Sequence, residues 1–337
     1  MDGRRGARRL LGAVQRRARL FGPKIIRRLR STVLLPPTRD EARRIQELRD
    51  ELAGLEPLPH VPIPELENVW LDFRRQFRRL FAKRDPRAFL KWELTRRCLY
   101  NAGPLPHELR AVTALPDWTS RWRPAVKESA IGRPDPCPAW SETSWNLIHH
   151  AFALSHFERT ARRQVEHVRR IIEFGGGYGS MARLVWQLGF RGHYVIYDLP
   201  EMSAVQRYYL TSIGLPTSRA KTAHDGPMVS WASSHDEFAR ITDGKVADLF
   251  LATWSLSETP IAFRESFLPL VRTNHCFFGY EDRYRGVDNA HFFAQWRERQ
   301  RVFQWSHWQS PSERNVSYLV GVSNDSRRQS HEEPGPA

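Results

Sequence analysis

From residue 168 onward, short apolar runs alternate with stretches of helical period, the pattern of an α/β sheet. VRRIIEF (168–174) reads as the first strand and GGGYG as its turn, followed by a helix from Ser180 to Leu188. HYVIYD (193–198) is the second strand, Glu201–Ile213 the next helix, and ADLFLAT (247–253) a buried strand. A helix over Ala262–Leu268, the strand HCFFGY (275–280) and a helix over Asn289–Arg299 follow. Arg301–Trp305 and Val316–Val322, joined through Pro311–Asn315, predict a hairpin at one sheet edge. A weak strand near 217–222 would complete seven. The expected class is α/β, a Rossmann-like seven-stranded sheet with a helical N-terminal extension.

Upstream, residues 39–53 read as a polar helix, and Pro57, Pro59, Pro62 and Pro64 as an extended linker. Leu66, Val69, Trp70, Phe73, Phe77, Leu80 and Phe81 follow helical period. Asp85-Pro86 predicts an N-cap with proline at the first helical position, opening a helix through Leu99. Residues 103–138, rich in Pro and Trp, read as irregular, and a further helix is expected over Ser141–His156. The domain reading is a basic tail (1–35), a mostly helical cap (36–160), a ligand-binding core (161–323) and a disordered C-terminal tail (324–337).

Charge changes this picture only at the N-terminus. Residues 1–30 hold eleven basic residues against Asp2, so they carry +10 of the chain's net +15. Leu10, Val14, Ala18, Phe21 and Ile25 would share one helical stripe among arginines, a pattern suited to an anionic membrane surface, RNA or an acidic partner, or to a plain solvated arm. No run approaches the roughly 20 apolar residues of a membrane span. Cys98, Cys137 and Cys276 are odd in number and far apart, which argues against a disulfide framework or a zinc knuckle. A reducing, cytoplasmic compartment fits, with peripheral membrane attachment open through the tail.

The glycine loop decides the ligand class. Gly175, Gly177 and Gly179 follow the first strand, where a glycine backbone turns sharply and approaches a ligand closely. Asp198 ends the second strand, where a carboxylate accepts hydrogen bonds from ribose hydroxyls. Gly177-x-Gly179-x-x-Ala182 also satisfies the dinucleotide fingerprint, but that register would run the strand through Gly175 and Gly176. The other register stops the strand at Phe174 and sets Glu173 beside the loop. A carboxylate there suits the amino and sulfonium cations of S-adenosylmethionine (SAM) and opposes a pyrophosphate, so SAM is favoured over NAD.

EFGGGYGSMARL (173–184) followed by YVIYDLPEMSAVQRYYL (194–210) resembles the class I SAM-dependent methyltransferases. With LATWSLSETP (251–260) and TSWNLIHHAFAL (143–154), the chain is similar over about 135–323 to a bacterial family of sugar O-methyltransferases. Thr253, Trp254 and Thr259 stand where that family has an Asn–Thr pair and a Met. The resemblance implies SAM contacts from Glu173, Gly175, Gly177, Gly179, Asp198, Leu199, Thr253 and Ser255, and transfer of a methyl group to a hydroxyl of a sugar or glycosylated small molecule. A phenolic or polyketide hydroxyl, or an RNA- or membrane-associated methyltransferase-like binding protein, is the alternative.

A sugar hydroxyl is a poor nucleophile, so a general base is sought near the strand ends. Glu258, His149 and Glu281 are the candidates; His150, His291 and Asp282 are secondary. Asp198, Asp225, Glu281 and Asp282 are hard oxygen donors, but no spacing pins them to one ion and no metal is predicted. Trp118, Trp122, Trp140 and Trp145 would pack the cap or form a wall against a sugar face. The expected partner is a small-molecule acceptor containing a sugar; no specific nucleic acid and no oligomeric state are predicted.

Overall fold

A computed structural model of the chain describes residues 34–58, 65–100 and 103–324. The Arg-rich amphipathic stripe, the prolines at 59, 62 and 64 and the expected C-terminal tail lie outside them. The chain divides into two compact units between Glu47 and Leu48. In the first, α1 (Arg39–Ala53) begins with a capping box: the Thr38 hydroxyl accepts from the Glu41 amide at 3.2 Å, and the Glu41 carboxylate accepts from the Thr38 amide at 2.8 Å.

In the second unit, α2 (Glu65–Lys83) buries Phe73, Phe77 and Phe81, stacked one turn apart. Asp85 caps as expected, accepting from the Arg87 amide at 3.0 Å. The helix after it is broken, however. A 3₁₀ turn (Pro86–Lys91) distorts at Ala88 and Trp92 is extended before α3 (Glu93–Cys98). The stretch read as irregular contains α4 (Pro106–Thr113), whose Pro106 sits at the first helical position. The long helix α5 (Trp145–Ala161) starts four residues later than expected, because Ser144 is its N-cap and accepts from the Leu147 amide at 3.1 Å.

The strands are β1 (Arg170–Phe174), β2 (His193–Tyr197), β3 (Met228–Ala232), β4 (Ala247–Thr253), β5 (Thr273–Glu281), β8 (Phe303–Gln309) and β9 (Val316–Ser323), with a two-stranded ribbon β6 (Arg283–Tyr284) and β7 (Val287–Asp288) apart. They pair in the order β3-β2-β1-β4-β5-β9-β8. The first five are parallel and the closing hairpin antiparallel. The seven-stranded Rossmann-like sheet is as expected. One strand is corrected. Residues 217–222 supply only a bridge from Thr217 to Val229, and the true β3 carries the polar Ser230 between apolar neighbours. The helices α6 (Ser180–Gln187), α7 (Pro200–Ser212), α8 (His235–Thr242), α9 (Ile261–Phe267) and α10 (Asn289–Arg299) follow their strands. Phe174, Tyr197, Phe238, Phe250, Phe267 and Phe278 are among the side chains of the core beneath the sheet. All parallel strands end at one edge, and in open α/β sheets ligands bind outside that edge.

Candidate active site

A cavity of about 970 Å³ opens at those strand ends. One end is the glycine loop. Gly175 has φ +71°, and a Cβ there would lie 2.0 Å from the Cβ of Ser255, whose hydroxyl donates to the Gly175 carbonyl at 3.1 Å. Gly177 has φ +54°, and a Cβ there would meet nothing within 4 Å. Gly175 is therefore a packing requirement, whereas Gly177 faces open space wide enough for a ligand.

Glu173 is buried, accepts from the Tyr194 hydroxyl at 2.9 Å, and is pushed up to about 8 by burial despite that bond, with Asp198 adding repulsion. Asp198 is pushed up to about 7, again chiefly by burial. Its oxygens accept from the Leu199 amide at 2.7 Å and from Gln206 Nε2 at 2.6 Å. Gln206 Nε2 also donates to the Gly177 carbonyl at 2.9 Å, while its Oε1 accepts from the Trp231 indole at 2.9 Å. This buried amide ties the β2 acid to the glycine loop. No signal in the sequence singled it out. Leu199, Met202, Ser233 and Phe263 line the same end, offering apolar surface beside the two acids.

The other end is built on the loops after β4 and β5 and on α5. Trp254 turns the chain at φ +66°, ψ −51°, a strained conformation for a bulky residue, held by its amide donating to the Gly279 carbonyl at 2.5 Å and its carbonyl accepting from the Ser257 hydroxyl at 2.5 Å. The 3₁₀ turn Ser255–Glu258 follows. Glu258 is pushed up to about 8 by burial and then by Glu281, with Arg285 opposing. Glu281, largely exposed, is raised by burial and then by Glu313. His149, from α5, packs against Trp254 with ring centroids 4.6 Å apart and the rings tilted by 32°. Its Nδ1 lies 2.9 Å from the fully buried carboxylate of Glu108, and its Nε2 is 3.9 Å from Glu313. The first contact fixes the ring; the second is too long for a hydrogen bond and leaves Nε2 open to the cavity.

Glu173, Gly175, Gly177, Asp198, Leu199, Thr253, Ser255, Glu258, His149 and Glu281 thus all line one space. Gly179 does not; its φ of +97° lets the chain enter α6 against Leu210. Ser255 spends its hydroxyl on the loop carbonyl. His150 is neutral, pushed down to about 3 by burial, with Nε2 2.8 Å from the Ser180 hydroxyl. His291 is exposed on α10, away from the cavity, with its amide capped by Asp288. Asp282 accepts from the Ser317 hydroxyl at 2.6 Å, and Asp225 pairs with Lys245 and Arg170 at the opposite edge of the sheet. Among the described residues no three His, Cys, Asp or Glu side chains converge as metal ligands.

The four tryptophans at 118, 122, 140 and 145 are absent from the lining. Trp122 is buried, and Trp118 packs edge-on against Trp140 at 5.4 Å. The aromatic side chains lining the cavity include Trp70, Tyr100, Phe174, Tyr197, Trp254 and Phe263 instead. Sequence reasoning also missed Glu108, which sits in a stretch taken for irregular, and Glu313, in the hairpin turn.

Neither protein-family models nor curated proteins match this chain. Solved structures do. A magnesium protoporphyrin IX methyltransferase from Synechocystis PCC 6803 with bound SAM is 11% identical, covering 66% of this chain and 100% of its own at a TM-score of 0.38. An O-methyltransferase from Bacillus cereus in complex with SAH is 14% identical, covering 65% and 92% at a TM-score of 0.38. An N-methyltransferase from Bradyrhizobium japonicum WM9 in complex with SAH is 11% identical, covering 52% and 86% at 0.34. Likenesses at this level carry no step of the chemistry, which has to be argued from the site itself.

Proposed function

We propose that the chain is a SAM-dependent O-methyltransferase acting on a hydroxyl of a sugar or glycosylated small molecule. The observation that carries this reading is one continuous cavity, with buried Glu173, partly buried Asp198 and an open glycine at one end and an oriented imidazole among carboxyls at the other. The first end fits SAM: Asp198 accepts from ribose hydroxyls, Glu173, protonated at neutral pH in the empty site, ionises when a cation binds beside it, and the space over Gly177 admits the ligand. A pyrophosphate beside Glu173 would gain no such charge pairing, which disfavours NAD. When bound there, SAM supplies an electrophilic methyl carbon on a sulfonium.

The chain's own residues supply alignment and a proton acceptor. Glu108 holds His149 Nδ1 so that Nε2 takes the proton of the acceptor hydroxyl, and the Glu108 charge favours the imidazolium that results. Glu258, pushed up to about 8, carries its proton at neutral pH and donates to an acceptor oxygen, while Glu281 accepts. The indole of Trp254 offers a face for the apolar side of a sugar ring. Paired donors and acceptors beside an aromatic face favour a polyol over a flat phenol.

The test is calorimetric titration with SAM, then incubation with methyl-labelled SAM and a panel of nucleotide sugars, glycosides and phenols. Label in the sugars is the expected result. Label in phenols alone would replace the acceptor class, and no SAM binding would remove the enzyme reading altogether.

A further inference from the structure

Arg264, on α9, is fully buried, and among the described residues no carboxylate pairs with it. Burying an unneutralised guanidinium is costly, and an apolar side chain of like volume would pack against Phe292 without that cost. Its hydrogen bonds are therefore informative. Nη2 donates to the Ser257 carbonyl at 2.7 Å and the Thr259 carbonyl at 2.6 Å, and Nε to the same Thr259 carbonyl at 3.0 Å. These carbonyls flank Glu258 on both sides. Nη1 donates to Asn289 Oδ1 at 2.7 Å, and Asn289 Nδ2 donates to the Glu281 carbonyl at 2.8 Å. One planar side chain thus spans the turn after β4 and, through one amide, the end of β5.

We propose that Arg264 is the positioning residue of the acceptor end: its guanidinium, with Asn289, fixes the Glu258 turn relative to the Glu281 strand end and so sets the spacing of the two carboxyls. This rests on the methyl-transfer reading for its purpose, though not for its geometry. The strained Trp254 turn explains the need. A backbone held at φ +66° persists only where its surroundings over-determine it, and Arg264 secures the far end of that same turn. A lysine cannot substitute, since one ammonium on a flexible stem does not reproduce a fork that meets three oxygens in a plane.

The test compares wild type with Arg264→Lys and Asn289→Asp. Asn289→Asp keeps an oxygen for Nη1, now a charged one that pairs with the guanidinium, and sets an acceptor in place of the donor to the Glu281 carbonyl. SAM titration should give affinities within about twofold of wild type for both variants, since neither side chain touches the glycine loop or the acids beside it and Ser255 keeps its bond to Gly175. In Arg264→Lys, the carbon-13 signal of the Glu258 carboxyl should titrate at least about one pH unit below its wild-type midpoint as the freed turn hydrates. For the acceptor found in the panel, KM should rise at least about tenfold in both variants, with kcat changing less. An unchanged Glu258 titration and unchanged acceptor KM would overturn the proposal. If Arg264→Lys fails to fold, Asn289→Asp alone decides through acceptor KM. The carboxyl titration needs neither SAM nor acceptor, so wild type failing to bind SAM would sink the functional reading while the Arg264 clamp is still read out.

Discussion

At the scale of single residues, the site separates side chains that hold the loop from those that face the ligand. Gly175→Ala drives a Cβ into Ser255 and should cost about 2 kcal/mol or more of stability, read from denaturant midpoints. Gly177→Ala has room and pays only the left-handed backbone penalty of about 1–2 kcal/mol, yet its methyl enters the ligand's space. It should weaken SAM at least about tenfold; equal effects on SAM affinity at 175 and 177 would contradict the division. The acids set a pH dependence. Glu173, Asp198 and Glu258 titrate at about 8, 7 and 8 when folded, above their ordinary values of 4.5, 3.8 and 4.5, so folding takes up protons between the two ranges and stability falls as pH rises through them. His150, His156 and His193, pushed down to about 3, 4 and 4, and His275 and His307, also lowered, act oppositely up to about one pH unit above their ordinary 6.5. Between about pH 7.5 and 8 the carboxyls act alone. The ligand-free protein should lose stability across that window, and Glu173→Gln should flatten the loss; a rise in wild type would refute the burial of these acids.

At the scale of elements, function depends on which helix reaches over the strand ends. Periodicity revealed α5 and its histidines, and the proline-opened α4 was legible in principle, but tryptophans and prolines around it masked the helix that carries Glu108. The consequence is chemical, because a histidine on a helix gains a role only once its second nitrogen is seen to be held. Glu108→Gln, at a site with no cavity contact, should leave SAM affinity unchanged and lower kcat by roughly tenfold to a hundredfold, the size expected of a group that acts through the ring it orients. His149→Ala should lower kcat by about a hundredfold or more. If Glu108→Gln left kcat intact, the pair would be structural and the base would be sought at Glu258. The aromatic wall fails for a related reason. Trp118 and Trp122 share one helical turn, in which Trp122 is buried and Trp118 packs on Trp140, whereas Trp254 reaches the cavity through a strained backbone that no residue pattern announces.

At the scale of the whole molecule, the alternation of strands and helices made the parallel sheet legible, and the sheet fixes where a ligand must bind. Glu173, the glycines and Asp198 were readable because their positions follow from strand ends. The third strand was displaced by ten residues because Ser230 interrupts its apolar run, and Gln206, Glu108, Glu313 and Arg264 were invisible because each acts through contacts between elements far apart in sequence. Among the described residues no helix is long and apolar enough to cross a membrane. The central claim is that the two acids and the glycine loop hold a cationic nucleoside at the edge of this sheet. Its most direct test is calorimetric titration of SAM into the full chain beside Glu173→Gln and Asp198→Asn. The account predicts saturable binding in the micromolar range, weakened at least about tenfold by Asp198→Asn and measurably by Glu173→Gln. No heat in wild type, or undiminished affinity in both variants, would contradict it.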